Sequence, residues 1–442
     1  MTRTVPALAN ARPVRIPVVS DTVLDNGLRV LAVRRPGVPL AEFRLRIPFV
    51  APARGTATHV ARAHLLADTF LSGTERRTAN EVAVALQSVG ATLSVNVDAD
   101  RLAFGGSVLL DGLGGLLDLV GELLTSATFP KHEVEGERDR LVQELAIHRS
   151  SAGVVAREAL FARLYGDHPY AQDLPQSDEV QEIKPRQLRA LHAARVVPAG
   201  SILTIVGDLT PARATAAVQK SLTGWTATGT AVPVPAAPPQ TGRSALLVDR
   251  PGAVQTTMRF GGGAPTRTEP DFAATALANL VFGGYFSSRW VSNIREDKGY
   301  TYSPSSGINH PVGGSRLVAG ADVATDVTAP ALLETLYELG RIATIPVRQD
   351  ELDQARRYAI GTLALSTATQ AGLAGTLSQL AASGLTIEWL RDYPKQLKAV
   401  TVDDVLAAAA KWFAPSVLTP VLVGDTATIA DSLRRLVELE LG

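Results

Sequence analysis

A proline-rich stretch near the middle of the chain most constrains how this sequence folds. Residues 226–243 are rich in proline and alanine and show neither the 3.6-residue period of a helix nor the two-residue period of a strand. A segment of this kind is an extended, semi-rigid connector. It predicts a chain divided into two nearly equal domains, 21–225 and 244–442, preceded by an N-terminal arm over residues 1–20.

The two halves show the same order of elements: strand, helix, helix, hairpin, helix. Residues 89–94 follow a helix and precede paired strands, and residues 298–303 take the same place in the second half, 303 − 94 = 209 residues later. Strands that come in runs, with helices interposed and short turns, favour an α+β fold over a doubly wound parallel sheet. The sequence therefore predicts two homologous α+β domains, each a mostly antiparallel or mixed sheet packed with helices.

Composition narrows the classes of partner. Lys+Arg and Asp+Glu are equal at 43 each, so no strong field draws the chain to nucleic acid or to an anionic membrane. The chain has no cysteine, which excludes a disulfide framework and a thiolate metal site. No apolar run is long enough for a signal peptide or a membrane span. We expect a cytoplasmic protein with neither nucleic-acid nor membrane partners.

A predicted helix around His64 carries the types of residue that bind metal. His64 and Asp68 are four residues apart, which places both side chains on one helical face where they can share an ion. Ala67 stands where a hydrolase needs a carboxylate to activate water, and a methyl group cannot accept a proton. Glu144 on a later helix, with Glu137 two turns before it, offers a third ligand. The alternative is that Asp68 hydrogen-bonds to His64 and that Glu144 is a solvated helix residue.

A second group of candidate residues lies in the C-terminal half. A glycine-rich turn opens a predicted helix that carries Arg295; Gly299 ends this helix, and Tyr302 begins the next predicted strand. A guanidinium and a phenol hydroxyl on adjacent elements can both donate to one peptide carbonyl or developing oxyanion. The alternative is a structural arginine paired with the acidic residues that follow it, beside a tyrosine in a strand.

Together these segments resemble the insulinase/pitrilysin superfamily, most of all its short two-domain chains of the mitochondrial-processing-peptidase type. The resemblance covers roughly residues 20 to 435. Glu144 falls 144 − 64 = 80 residues after His64, where the family keeps its distal zinc ligand, and Glu137 stands where the family keeps a further acidic residue. The other matching pieces are Asn26-Gly27, Phe70-Leu71-Ser72-Gly73-Thr74, His168-Pro169-Tyr170, residues 205–208, Gln255, residues 283–290, and the pair Arg295 and Tyr302.

The resemblance implies two domains related by a pseudo-two-fold axis and enclosing a cleft. It also implies that Arg295 and Tyr302 reach the substrate near the zinc ion. The family's zinc helix reads H-x-x-E-H, whereas here Ala67 replaces the catalytic glutamate and Asp68 replaces the second histidine. In two-chain members of the family, one chain carries the zinc ligands and the other keeps the Arg/Tyr pair beside a degenerate zinc motif. This sequence resembles the second kind.

The resemblance therefore predicts a non-catalytic, substrate-positioning subunit of a heterodimeric zinc-dependent processing peptidase. Zinc is expected on a homologous partner subunit with an intact H-x-x-E-H, and the metal position on this chain would be vestigial. The substrate would be an extended peptide, held as an added strand on a sheet edge. Two alternatives remain open: an inert scaffold of the same fold, and a stand-alone metallopeptidase with a His64/Asp68/Glu144 site.

Overall fold

The computed structural model of the protein describes residues 17–52, 55–226, 229 and 231–442. Most of the predicted arm, and three residues of the predicted connector, lie outside these ranges. The described residues form two six-stranded sheets, one on each side of the connector. No helix in the described ranges is both long enough and apolar enough to cross a bilayer.

The two sheets share one plan. In the first the strand order is β1-β2-β6-β3-β5-β4 and in the second it is β12-β7-β11-β8-β10-β9. The first sheet is built from β1 (Val19–Val23), β2 (Arg29–Arg34), β3 (Leu40–Pro48), β4 (Thr92–Val97), β5 (Arg101–Leu109) and β6 (Ile202–Gly207). The second is built from β7 (Ala245–Asp249), β8 (Gln255–Ala264), β9 (Ser305–Asn309), β10 (Ser315–Ala324), β11 (Thr419–Gly424) and β12 (Leu439–Leu441). Most neighbouring strands are antiparallel, and only β2–β6, β7–β11 and β7–β12 are parallel among the described pairs.

Helices pack on both sheets. Those of the first half are α1 (Thr56–Asp68), α2 (Ala79–Ser88), α3 (Leu113–Ser126), α4 (Lys131–Arg149), α5 (Ala152–Tyr165), α6 (Ser177–Gln181), α7 (Pro185–Arg195) and α8 (Pro211–Leu222). Those of the second half are α9 (Phe272–Asn279), α10 (Arg289–Val291), α11 (Thr328–Thr344), α12 (Gln349–Ser366), α13 (Gln370–Ala382), α14 (Ile387–Ala399), α15 (Val402–Trp412) and α16 (Thr426–Arg434). Two π-helical turns, Leu280–Gly284 and Ser292–Asp297, extend α9 and α10. The predicted α+β class with two similar, mostly antiparallel halves is confirmed.

The strand register refines the predicted repeat. Ser94 pairs with Gly105 in the first sheet, and Ser305 pairs with Gly320 in the second, where each glycine lies opposite an arginine of the next strand. The counterpart of Ser94 is therefore Ser305, and the predicted match with Ser303 was wrong by two residues. The prediction aligned the glycine turns before the hairpins, but the segment from Gly299 to Ser305 (305 − 299 = 6) is two residues longer than that from Gly90 to Ser94 (94 − 90 = 4), so the strand is displaced by two residues.

The central strand of the first sheet shows why each sheet has one apolar face. Side chains alternate along a strand, and Phe43, Leu45 and Ile47 of β3 are fully buried in the first hydrophobic core with α1 and α3. Arg44 and Arg46 lie on the opposite face, towards the second half of the chain. The sheet thus separates a packed core from a polar surface.

The two halves exchange a helix across their interface. Helix α5 of the first half packs Leu160 and Phe161 against Val421 of the second sheet. Helix α13 of the second half packs Leu373 and Leu377 against the first sheet, beside Val33 and Val206. Burying one such leucine contributes about 1.5–3 kcal/mol. Each sheet is therefore completed by a helix from the other half.

A buried polar network also joins the halves. The Tyr170 hydroxyl donates to Asp100 Oδ1 at 2.5 Å and accepts from the Gly313 N–H at 2.7 Å. The second carboxylate oxygen, Asp100 Oδ2, accepts from the Val312 N–H at 2.8 Å. Burial is the main cause of the raised pKa of Tyr170, and the Asp100 charge adds to it. The hairpin turn between β9 and β10 is thereby fixed to the first half.

Candidate functional site

Helix α1 presents the degenerate metal motif with its middle in the core. Leu65 and Leu66 are fully buried, and Ala67 is 5% exposed within the same hydrophobic cluster. The residue at the position of a general base is thus a packing residue with no proton-accepting group. His64 and Asp68 lie outside this buried face, as their spacing predicts.

His64 is held by the backbone rather than by another metal-binding side chain. Its Nε2 lies 3.2 Å from the carbonyl oxygen of Asp173. Burial lowers the pKa of His64, and the carbonyl and the Asp173 charge oppose this shift only in part. The cavity beside the ring has a volume of about 20 Å³, about the room of a single water molecule. A peptide substrate cannot enter there.

A guanidinium lies among the carboxylates that would complete a metal site. Arg140 of α4 donates from Nε to Glu137 Oε2 at 2.6 Å and from Nη1 to Glu144 Oε1 at 2.5 Å. The Asp68 side chain is exposed, and partial desolvation by the surrounding protein is the main cause of its raised pKa; the Arg140 charge lowers this pKa, and Glu137 and Glu144 raise it. Arg140 is therefore the counter-ion of this acidic group.

These residues do not fit a zinc centre. Zinc needs deprotonated donors whose lone pairs converge on one point, but the Glu144 carboxylate already accepts from a fixed cation. Across the described part of the chain, no group of three or more His, Asp or Glu side chains is arranged to hold a metal ion. His64, Asp68 and Glu144 are included in that statement. We derive no catalytic step through a metal on this chain.

The structure brings Arg295 and Tyr302 together. Arg295 lies on the π-helical turn after α10, and Gly299 at φ 65° reverses the chain behind it. The Arg295 Cζ lies 5.1 Å from the centroid of the Tyr302 ring. Tyr302 is 82% exposed and lies three residues before β9, so the prediction that it begins the strand was wrong. The loop that keeps Tyr302 out of the sheet leaves its ring in solvent.

A third residue of this cluster was missed by sequence reasoning. Phe286 is 60% exposed, and its ring centroid lies 4.4 Å from Arg295 Cζ. Stacking on aromatic rings orients a guanidinium while its N–H groups stay available to a carbonyl or carboxylate. Arg295 also lies 3.4 Å from Glu296, the pairing that the structural alternative expects. The sequence signal for this residue is an aromatic side chain placed just after the glycine pair 283–284, where a turn can leave it in solvent.

Another arginine of this region is structural. Arg289 donates from Nε and Nη2 to both carboxylate oxygens of Glu351, at 2.9 and 2.7 Å. Both side chains are largely buried. This bidentate pair fixes α10 against α12 and so sets the position of the turn that carries Arg295.

The fold and the site define a two-domain zinc-peptidase architecture in which the metal motif is incomplete. Two family models match the chain: "Insulinase (Peptidase family M16)" over residues 62–178 and "Peptidase M16 inactive domain" over residues 182–358. The chain belongs to the insulinase family, peptidase family M16. The second model covers residues 182–358, whereas Ala67, Asp68 and Arg140, where the metal motif is incomplete, lie within the first.

The relatives of known sequence that match this chain are named as zinc proteases. The chain is 27% identical to an uncharacterized zinc protease of Mycobacterium leprae over 68% of each chain. It is 26% identical to an uncharacterized zinc protease of Mycobacterium tuberculosis over 94% of this chain and 96% of the relative. The names of these relatives therefore assign zinc to them, and not to this chain.

Solved structures show the same fold. The peptidase M16 inactive domain from Pseudomonas fluorescens superposes with a TM-score of 0.84 at 23% identity, over 92% of this chain and 98% of that one. A protease from Helicobacter pylori gives a TM-score of 0.83 at 18% identity, over 93% and 100%. At these identities the likeness shows the fold alone.

Proposed function

We propose that this chain is the non-catalytic, substrate-positioning subunit of a heterodimeric zinc-dependent processing peptidase that acts on extended peptides. The observation that carries the proposal is the Arg295–Tyr302 pair, in which a partly buried guanidinium lies against a phenol ring that is 82% exposed and can meet a peptide. Membership of a peptidase family supports the reaction class.

The division of labour follows from what α1 and α4 no longer provide. Ala67 supplies no general base, and Arg140 already supplies a positive charge to the Glu144 carboxylate. A homologous partner subunit with an intact H-x-x-E-H would supply the zinc ion and the base. This chain would supply Arg295 and Tyr302, which donate to a substrate carbonyl or to the oxyanion that develops on it.

The peptide would bind as an added strand. β4 ends the first sheet, and the polar side chains of Thr92, Ser94 and Asn96 alternate along its exposed face. An edge strand offers backbone N–H and C=O groups that pair with an extended peptide. Main-chain pairing of this kind accepts many sequences, as a processing enzyme requires.

The test begins with a native pull-down of the chain, followed by peptidase assays on the isolated complex. A stoichiometric partner with an intact H-x-x-E-H is expected. Arg295→Lys and Tyr302→Phe should each lower kcat/KM of the complex about 100- to 1,000-fold, the range for losing one oxyanion-stabilising donor, without weakening assembly. The matched controls are Arg213→Lys and Tyr337→Phe, at exposed positions elsewhere. Unchanged turnover in both cluster variants would overturn the positioning role.

A second candidate function is an inert scaffold of the same fold. It is favoured by the Arg140 pairing, which stabilises the acidic group without any metal. A scaffold predicts that no peptidase partner and no peptide associate with the chain. A stand-alone metallopeptidase is the third candidate, and it requires cleavage by the purified chain that His64→Ala abolishes.

A further inference from the structure

A large polar cavity lies between the first sheet and the exchanged helix α13. Its volume is about 680 Å³, and it opens beside β4, the strand proposed to receive the peptide. Polar side chains from β3, β4 and α13 line it, among them Glu42, Arg44, Arg46, Ser94, Asn96 and Ser378. The cavity thus reaches from the sheet edge to the middle of the sheet.

Arg46, on the inner strand β3, is the most buried arginine that β3 contributes to this cavity. It is only 8% exposed, and its Nη1 atom makes no hydrogen bond with any described residue. The residues outside the described ranges include no Asp or Glu, so they supply no side-chain carboxylate for it. Burial, with a contribution from Arg101, lowers the pKa of Arg46 to about 10, and the group stays charged at neutral pH.

The carboxylates around Arg46 already have partners. Asp98 pairs with Arg101 at 2.9 Å. Asp100 accepts from the Tyr170 hydroxyl and from the Val312 N–H. A buried cation with an unfilled donor is unfavourable unless an anion or acceptor meets it. Arg46 Nη1 is enclosed by protein, so a ligand in the cavity meets this donor when the guanidinium turns towards it.

The neighbouring arginine shows the contrast. Arg44 lies 2.9 Å from Glu42 and donates to the carbonyl oxygens of Phe43 and Gly106. Its charge and its donors are satisfied within the sheet. Strand β3 directs two arginines into this cavity. Arg46, unlike Arg44, has a side-chain N–H group without a hydrogen-bond acceptor among the described residues.

The second half has the same arrangement without the cavity. Arg259 of β8 donates to the carbonyl oxygens of Met258 and Ala321, as Arg44 does in the first half. Two residues later, the counterpart of Arg46 is Gly261, where an added Cβ would lie 2.9–3.0 Å from side chains of α5, namely Leu164 and Leu160.

Helix α13 does not fill the matching space. It offers Ala371, Gly375 and Ser378 to the cavity, where α5 offers leucines. Small residues at these positions keep the region above Arg46 open. The open cavity and its cation thus belong to one half of the repeat only, and the structural repeat does not require them.

We propose that Arg46 forms a carboxylate-binding subsite and that the peptide bound along β4 places a carboxylate in this cavity. The carboxylate is the peptide's C-terminal group or an acidic side chain, both of which match a guanidinium in charge and geometry. The proposal rests on the peptide-binding role proposed above and adds the chemical class of ligand. Ser94 and Asn96 belong to β4 and also line the cavity, so the strand that would pair with the peptide is continuous with the cavity wall.

Fluorescence anisotropy on the full-length chain tests the subsite with three labelled peptides of one extended sequence. The first has a free C-terminal carboxylate, the second a C-terminal amide, and the third an amide terminus with one internal Gln replaced by Glu. A carboxylate-bearing peptide is expected to bind at least tenfold more tightly than the amide. Tighter binding of the first peptide identifies a terminal carboxylate, and tighter binding of the third identifies a side chain.

The variant Arg46→Gln should abolish this discrimination, and Arg259→Gln, the same charge change in the second sheet, should leave it intact. Equal affinities of the wild-type chain for all three peptides would overturn the subsite and leave the proposed function standing. Absence of binding by every peptide, both to the chain and to the complex isolated by the pull-down, would overturn both. The wild-type comparison needs no substitution, so it decides the matter even where Arg46→Gln fails to fold.

Discussion

Replacing Tyr170 by phenylalanine removes one hydroxyl from the buried contact between the halves. In the native chain that hydroxyl donates to Asp100 and accepts from the Gly313 N–H. Phenylalanine keeps the ring and its packing but leaves one carboxylate oxygen and one backbone N–H without this partner. Tyr170 is 1% exposed, so water does not replace the lost bonds.

The expected cost follows from those two bonds. A hydrogen bond to a charged group contributes about 1.5–3 kcal/mol, and an unsatisfied buried donor costs about 1–3 kcal/mol. Together they lower the free energy of unfolding by about 4 kcal/mol. The entropy of unfolding of 442 residues is about 0.9 kcal/mol/K, from about 2.1 cal/mol/K per residue. The expected decrease in Tm is therefore about 4 °C.

Differential scanning calorimetry measures this decrease directly. The matched control is Tyr337→Phe, which removes a hydroxyl from a side chain that is 57% exposed and should change Tm by less than about 1 °C, as surface substitutions do. A Tyr170→Phe variant with the same Tm as this control would refute the argument that the network holds the halves together.

Two further predictions concern titration and metal. Burial lowers the pKa of His59 to about 4, of His192 to about 4 and of His310 to about 3. Between about pH 4 and pH 6.5 these side chains are protonated in the unfolded chain but not in the folded one, so acidification lowers the free energy of unfolding. The three histidines together lower it by about 5 kcal/mol at pH 5. Urea unfolding at pH 7 and pH 5 measures this loss, and equal stabilities would contradict it. Arg140→Gln should tighten zinc binding at least tenfold by calorimetric titration, because it removes a cation from the acidic group. Arg138→Gln on the same helix is the control, and equal affinities in the two variants would show that Arg140 does not exclude metal.

Local sequence signals predicted the elements well. Thr78 and Glu81 have the residue types and spacing of a capping box, and α2 begins at Ala79 with both reciprocal bonds formed. Apolar and polar residues alternate along β3, because a strand with one buried face leaves a two-residue period. The pairing of Arg295 with Tyr302 was implied by the family resemblance, because their spacing alone left the structural alternative open.

Those local signals did not predict contacts between residues that are distant in the sequence. Arg140 pairs with Glu137 and Glu144 at helical spacing, yet nothing in the spacing shows that Asp68 lies beside them. Tyr170 and Asp100 are 70 residues apart, and both their types and their spacing are ordinary. Such partners are set by tertiary packing, which a single sequence does not encode in any local period.

The helix that covers the first sheet is synthesised long after the sheet itself. β6, the last strand of the first sheet, ends at Gly207, and α13, which covers the face of Val33 and Val206, begins at Gln370. A ribosome adds about 5–20 residues per second, so the intervening 370 − 207 = 163 residues take about 8–33 s. Through that interval the apolar face of Val33 and Val206 lacks the helix that covers it in the folded chain, and we expect this face to be the part of the nascent first half that needs protection from aggregation.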